Sequence, residues 1–426
     1  MPNREPTDRE RTDSEPTDTS RRLFLGGALG AAGLVAAGGA GFGIARAAEP
    51  ADANSSDVVP FYGPHQAGIA TPAQDRLAFA AFDVTSADRT DLQTLLAQWA
   101  AAAAQMTKGQ PIGSVETAPD NPPIDTGEAL GLPAAKLTVT VGFGPGLFDE
   151  RFGLAMHRPA ALKKLPPLPG DAFEPDRSGG DLCVQACADD PQVAFHVIRN
   201  FARLARGTAV MRWSQLGFGR TSSTSTTQQT PRNLMGFKDG TRNIKAESAE
   251  EMERFVWVGA ETDQPWMRGG SYVVARRIRM LIESWDTDYL ADQEKVFGRA
   301  KNSGAPLTGT HEFDKPNLIA KKNGVPVIDL NAHIRLAAPV SNSGQMILRR
   351  GYSYTDGIDA QTGLLDAGLF FLAYQKDPRK QFVQIQQRLG QHDLLNEYIR
   401  HTGSALFAVP PGLHAPGDYY GKSLFA

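Results

Sequence analysis

The order of strand-like and helix-like segments constrains the fold of this chain more than any other feature of its sequence. Between residues 80 and 218, apolar residues recur first with a strand period and then with a helix period. Two strands, a helix and a last strand follow. Strands are predicted near 80–85, 137–143, 182–188 and 209–218, and helices near 89–106 and 191–206. This βαββαβ order is the split-βαβ, or ferredoxin-like, pattern.

The second half of the chain gives the same order of elements. Strands are predicted at 271–281, 345–353, 369–374 and 405–409, and helices near 287–299 and 379–389. No residue pattern repeats between the halves, so the duplication rests on element order alone. We therefore predict an α+β fold of two ferredoxin-like (βαββαβ) domains, residues 61–218 and 219–426.

The N-terminus predicts an export signal. Arg21 and Arg22 form the twin-arginine pair of Ser-Arg-Arg-Leu-Phe-Leu, a Gly/Ala-rich apolar stretch follows, and 45–47 is a small-residue cleavage site. The alternative is a membrane-spanning helix, because the stretch is nearly long enough, but its many glycines favour a twin-arginine signal over 1–47. We expect the twin-arginine translocase to deliver the mature chain, without a stable membrane span, to the periplasm, cell envelope or exterior. Residues 48–60 are predicted to be a linker.

The net charge bears on the possible partners of the chain, and the spacing of its two cysteines bears on whether they can form a disulfide. A formal net charge of −3 gives no reason to expect nucleic acid as a partner. Cys183 and Cys187 lie in one predicted strand, where four residues span about 13 Å. A disulfide requires Cα atoms about 4.4–6.8 Å apart. We therefore predict two buried thiols.

A polar loop at 230–243 concentrates groups suited to chemistry. Its sequence, Thr-Pro-Arg-Asn-Leu-Met-Gly-Phe-Lys-Asp-Gly-Thr-Arg-Asn, places one carboxylate, Asp239, between two glycines. Glycine permits close approach of backbone to a ligand, and Arg232 and Arg242 can hold anionic groups. A simple surface turn is the alternative, because Asp-Gly is a common turn dipeptide.

The segment 236–240, Gly-Phe-Lys-Asp-Gly, resembles the GxxDG signature of the dye-decolourising (DyP-type) haem peroxidases. Further segments resemble the same family in the same order: 65–69 (HQAGI), 331–336 (NAHIRL), 348–352 (LRRGY), 368–375 and 401–407 (HTGSALF). The resemblance extends from about residue 61 to about residue 413. It implies two ferredoxin-like domains of the dimeric α+β barrel type, in agreement with the element order, and a haem b (iron protoporphyrin IX) cofactor.

The resemblance assigns the axial ligand of the haem iron to His333. Composition alone does not choose among eight histidines; His65 and His401 also lie in family-like segments and stay open as residues lining the site. A proximal histidine usually donates its other ring N–H to an acceptor. Asp393 and Glu397 are both candidates for that acceptor.

The resemblance matches Asp239 to the distal acid–base carboxylate and Arg349 to the distal cation. Side chains alternate between faces along a strand, so Arg349 and Arg350 point in opposite directions and only one can face the iron. These two matched residues, Asp239 and Arg349, are the predicted catalytic pair.

Four more residues are predicted to contact the cofactor. Arg242 and Asn243 are candidate partners of the haem propionates. Leu369 and Phe371 share a face of the neighbouring strand and are the candidate apolar lining, with core packing as the alternative.

The resemblance implies an exported haem b peroxidase. Hydrogen peroxide would oxidise the haem to a ferryl intermediate, and dyes, phenols or other one-electron donors would return it to the ferric state. The alternative is a deferrochelatase-like protein that binds haem and releases its iron during iron uptake; both need His333, and only the peroxidase needs Asp239 and Arg349. A chlorite-decomposing relative is disfavoured, since that group lacks the GxxDG carboxylate. The natural reductant and a homo-oligomeric state stay open.

Overall fold

The computed structural model describes residues 57–426, so the predicted export signal and most of the predicted linker lie outside the described residues. Eleven strands are present: β1 Arg76–Val84, β2 Thr138–Phe143, β3 Leu182–Ala188, β4 Ala209–Arg220, β5 Ser271–Met280, β6 Lys321–Lys322, β7 Val325–Pro326, β8 Leu348–Arg349, β9 Tyr352–Ile358, β10 Leu365–Gln375 and β11 Ile399–Val409. The α-helices are α1 Arg89–Met106, α2 Pro191–Leu204, α3 Ala249–Phe255, α4 Ile282–Asp286, α5 Leu290–Phe297, α6 His333–Leu336 and α7 Phe382–His392.

Nine of these strands form one antiparallel sheet in the order β5-β11-β2-β3-β1-β4-β9-β10-β8. β5 also pairs with β10, which closes the sheet into a barrel. β1–β4 come from the first half of the chain, and β5 and β8–β11 come from the second. The predicted α+β class with two ferredoxin-like halves is confirmed, and the closed barrel matches the dimeric α+β barrel type.

Alternate residues of each strand pack into two different hydrophobic cores, one inside the barrel and one between the barrel and the helices outside it. On β1, Leu77, Phe79 and Ala81 face the barrel interior, whereas Ala80 and Phe82 face the helices outside it. α1 and α2 cover that outer face. α2 begins cleanly because Asp190 accepts hydrogen bonds from the backbone N–H groups of the first turn and Pro191 occupies the first helical position.

The barrel interior is aromatic and contains both cysteines. Phe79, Phe370 and Phe407 pack there, with ring centroids of neighbouring pairs 5.3–6.2 Å apart. Cys183 and Cys187 are both buried and free, as predicted. Burial raises the pKa of the Cys183 thiol well above its usual range.

Most predicted elements are present, but several differ in their bounds or continuity. The predicted strand 345–353 is interrupted at 350–351, giving β8 and β9. The predicted helix 287–299 is shorter and follows a separate turn of helix, α4. The last strand is longer than predicted and begins at Ile399. Within 57–426, no helix is long and apolar enough to cross a membrane.

The two faces of β10 differ in how far they are covered. Phe370, Leu372 and Tyr374 face the barrel interior and are at most 1 % exposed. Leu369 and Phe371, on the opposite face in the middle of the same paired strand, are only half buried. Large apolar side chains are rarely left open inside a sheet unless something covers them, so the outer face of β10 offers space for an apolar group.

Candidate active site

His333 opens the single-turn helix α6, and one hydrogen bond fixes its ring. Its Nδ1 lies 2.6 Å from Oδ2 of Asp393, a buried carboxylate just after α7. Because Nδ1 donates to Asp393, Nε2 is the ring nitrogen left to bind a metal. Glu397, the other predicted acceptor, is exposed, so the structure selects Asp393.

The charge of His333 is also set by its neighbours. Burial is the largest single influence and lowers the pKa of His333, but the neighbouring carboxylates together outweigh it, so the pKa is raised; Asp393 contributes both its charge and its hydrogen bond. Asp239 raises this pKa further and Arg349 lowers it. These contributions show that the Asp239 and Arg349 charges lie within electrostatic reach of His333, so all three groups act on one region.

Two hydrogen bonds within the loop at 230–243 hold Asp239 in position. The backbone N–H of Asp239 donates to Pro231 O at 2.9 Å, and the Asn233 amide lies 3.4 Å from Asp239 Oδ2. Gly240 has φ of +88°, and a Cβ there would lie 2.9 Å from Cα of Ser222. The second glycine of the motif is therefore required by backbone conformation and by close packing.

Arg349 pairs with Asp239 across a sequence separation of 110 residues. Its Nη1 lies 2.5 Å from Oδ1 of Asp239. Arg350 points to the other side, is fully buried, and donates to Thr71 O and to Gln74 Oε1. The two arginines face opposite ways, as strand alternation predicts.

Two residues, Glu312 and Arg232, make hydrogen bonds that hold the distal loop (residues 230–243) and that the sequence does not predict. Glu312 accepts hydrogen bonds from Lys238 and from Thr241 Oγ1, the latter at 3.0 Å. Arg232 donates to Gly236 O and Lys301 O. No local signal in the sequence identifies Glu312, because it lies 71 residues from Thr241 and outside every motif.

Asn243 does not fit its predicted role as a propionate partner. Its side chain is 6 % exposed, and its Nδ2 donates to Ser223 O at 3.0 Å and to Arg349 O at 2.8 Å. Both amide hydrogens are therefore already used. Arg242 is exposed, and its contact with a propionate stays a prediction.

The two other histidines of the family-like segments have packing environments. His65 stacks on Trp257 with ring centroids 3.7 Å apart, and its Nδ1 lies 2.6 Å from Gly269 O. His401 is buried, with Nε2 accepting from the amide of Gln386 at 3.1 Å. Burial, helped by Arg276, lowers the pKa of His401 to about 3.

These features fit a haem group. Nε2 of His333 can bind iron. The half-buried side chains of Leu369 and Phe371 can contact a flat apolar macrocycle. The ion pair of Asp239 and Arg349 can bind a polar reactant. Leu369 packs against the same cluster as Phe237 of the distal loop and Phe297, whose ring centroid is 6.1 Å from that of His333. One apolar cluster thus connects the His333–Asp393 pair with the Asp239–Arg349 pair.

Family comparison decides the class of protein. The model described as "Dyp-type peroxidase, N-terminal" matches residues 66–219, and the model described as "Dyp-type peroxidase, C-terminal" matches 230–414. The chain belongs to the Dyp-type peroxidase family. It is a haem-dependent peroxidase, and its cofactor is haem.

Individual relatives agree with this membership. The chain is 38% identical over 428 residues to the deferrochelatase of Yersinia pseudotuberculosis serotype I, covering 97% of this chain and 96% of the relative. It is 39% identical over 372 residues to the deferrochelatase of Escherichia coli K12, covering 86% of each.

Solved structures show the same fold. The oxyferrous/water mixed complex of DtpA from Streptomyces lividans has a TM-score of 0.79 and 42% identity, covering 87% of this chain and 98% of that one. The DyP-type peroxidase from Cellulomonas bogoriensis has a TM-score of 0.77 and 40% identity, covering 86% and 98%.

Proposed function

We propose that this DyP-type peroxidase is an exported enzyme in which Asp239 and Arg349 activate hydrogen peroxide at a haem held by His333. Dyes, phenols or other one-electron donors are the proposed reductants. The observation that carries the proposal is the ion pair between Asp239 and Arg349, 2.5 Å long and within electrostatic reach of His333. A protein that only binds haem needs the histidine but has no use for this pair.

Each polar residue has a distinct task in reducing peroxide. When bound through His333, haem would supply the iron centre and the redox chemistry, and the residues of this chain would move the proton and stabilise the charge. Asp239, as a carboxylate, takes a proton from the near peroxide oxygen and delivers it to the far oxygen as that atom leaves as water. Arg349 donates hydrogen bonds to the negative charge that develops as the O–O bond breaks.

The proximal pair supports the same chemistry. Asp393 accepts a hydrogen bond from the Nδ1–H of His333. This makes Nε2 of His333 more electron-rich, which favours cleavage of the O–O bond. The balanced reaction consumes one peroxide, two protons and two electrons and yields two waters. Two one-electron donors supply the electrons.

Iron release is the second candidate function. It is favoured by the long, 38%-identical alignment with proteins named deferrochelatase. In that function the protein would hold haem through His333 and yield free iron and metal-free porphyrin. The two candidates differ in what happens to the porphyrin.

The test compares these products in one sample. Holoprotein is mixed with one equivalent of peroxide and an excess of a phenolic dye, with an iron chelator present. We expect two one-electron oxidations of dye per peroxide, an intact haem absorption spectrum and no porphyrin fluorescence. Accumulation of fluorescent metal-free porphyrin without dye oxidation would instead establish iron release.

Export is the remaining part of the proposal. Its support is the twin-arginine pair, Arg21 and Arg22, the Gly/Ala-rich stretch and the 45–47 cleavage site. The predicted destination is the periplasm, cell envelope or exterior.

A further inference from the structure

Arg349 sits on an unusually short edge of the sheet. β8 contains only Leu348 and Arg349, ends the nine-strand order, and pairs with β10 alone. The N–H of the next residue, Arg350, donates to Leu372 O of β10 at 2.8 Å. Because hydrogen-bonding groups alternate along a strand, the N–H and C=O of Arg349 point away from β10. An edge strand of two residues is easily frayed unless those groups are satisfied.

Asn243 satisfies both of them with one side chain. Its Oδ1 accepts from Arg349 N at 2.8 Å, and its Nδ2 donates to Arg349 O at 2.8 Å. The amide thus makes the pair of bonds that a neighbouring strand would make. Nearby, Thr221 N donates to Gly351 O at 2.9 Å, just past the end of β4. Asn243 thus extends the β4–β9 hydrogen-bond ladder beyond the point where the backbone of β4 turns away. Its further bond to Ser223 O connects it to the segment that follows β4.

The same loop also holds the side chain of Arg349. Asp239, four residues before Asn243, pairs with the guanidinium, while Asn243 holds the main chain. Asn243 N donates to Gly240 O at 3.0 Å, so Asn243 closes a tight turn, 240–243, that begins directly after Asp239. The distance between the carboxylate and the Arg349 backbone is therefore set within a single loop.

We infer that Asn243 is a positioning residue that sets the location of the Arg349 guanidinium relative to Asp239. This inference rests on the proposed role of Arg349 in peroxide activation. Asn243 acts through Arg349, because its amide oxygen and both amide hydrogens are already bonded to the backbone of Arg349 and Ser223. A small misplacement of a catalytic group can cost about 100-fold in rate.

Two substitutions and a control separate positioning from general stability. Asn243→Ala removes the side-chain hydrogen bonds to the main chain of Arg349. Asn243→Asp places a carboxylate oxygen against the carbonyl oxygens of Arg349 and Ser223, so these acceptors lose their donor and repel the new oxygen. The matched control is Asn200→Ala. Asn200 is another buried amide with two bonds to one residue, Thr126, at 2.9 and 3.2 Å, and it lies on α2.

Two measurements are made on each holoprotein: the second-order rate constant of the peroxide-driven change in the haem spectrum, and the equilibrium affinity for fluoride. Fluoride binds ferric haem and accepts hydrogen bonds from a nearby guanidinium, so its affinity reports the position of Arg349 without turnover. We expect Asn243→Ala to lower the rate constant about 10- to 100-fold and to weaken fluoride binding. Asn243→Asp should be at least as damaging, and Asn200→Ala should change only the melting temperature.

A double-variant comparison gives the decisive readout. If Asn243 acts through Arg349, Asn243→Ala combined with Arg349→Leu will bind fluoride no more weakly than Arg349→Leu alone. Parental rate and fluoride affinity in Asn243→Ala, or additive losses in the double variant, would overturn the inference. Parental behaviour of Arg349→Leu would instead refute the proposed function, so the two failures are distinguishable.

Discussion

His333 and Asp393 are 60 residues apart in the sequence, yet one hydrogen bond between them decides which ring nitrogen can reach a metal. The resemblance to DyP-type peroxidases indicates His333 as the ligand, and the sequence leaves both Asp393 and Glu397 open as its hydrogen-bond acceptor. The choice depends on the turn that follows α7, where Asp393 also accepts from Leu395 N at 2.9 Å. That turn buries Asp393 and leaves Glu397 in solvent, which local sequence does not reveal.

The hydrogen bond to Asp393 should tune the proximal ligand. Asp393→Asn keeps an acceptor of the same shape but removes the charge, so Nε2 of His333 becomes a poorer electron donor. We expect a lower iron–histidine stretching frequency in the ferrous protein and a loss of about 10- to 100-fold in haem affinity or peroxide reactivity. Resonance Raman spectroscopy and haem titration measure these effects. Glu397→Gln is the control and should change neither; an unaltered stretching frequency in Asp393→Asn would contradict the assigned acceptor.

The elements were largely predictable because their periods are strong. α1 was predicted to the residue, and β3 likewise. The interruption between β8 and β9 was not predictable, because it depends on partners distant in sequence. Arg350 is drawn inward by Thr71 and Gln74, and Gly351 is held by Thr221. The face assignment of Arg349 nevertheless follows from alternation alone, since neighbouring residues point apart even at the end of a short strand.

At the scale of the whole molecule, element order predicted two halves but not how they close. Pairing of β5 with β10 within the second half, and of β4 with β9 and β11 with β2 between the halves, completes the barrel. The candidate active site lies outside this barrel, on the β10 face left uncovered by α1 and α2. The distal loop supplies Asp239 to that face. Its anchors, such as Glu312, depend on tertiary contacts and could not be found from motifs.

Export is a property of the whole precursor. Changing both Arg21 and Arg22 to lysine should leave unprocessed precursor inside the producing cell, because the twin-arginine pair is the recognised signal. Cell fractionation and N-terminal sequencing measure the outcome, with a mature chain beginning near Ala48 expected for the parent. Arg9→Lys with Arg11→Lys is the matched control and should be exported normally. Normal export of the twin-arginine variant would rule out this route.

The proposed roles of Asp239 and Arg349 in peroxide chemistry, at a haem held by His333, can be measured by stopped-flow spectroscopy. Asp239→Ala and Arg349→Leu are loaded with haem and mixed with peroxide at several pH values, since a carboxylate base acts only when ionised. Neither residue is an iron ligand, so the resting haem spectrum should be retained. We expect Asp239→Ala to slow the peroxide-driven spectral change by about 10²–10⁴-fold and Arg349→Leu to be strongly impaired as well. Parental rates in both variants, or no peroxide-driven change in the parent, would contradict these proposed roles.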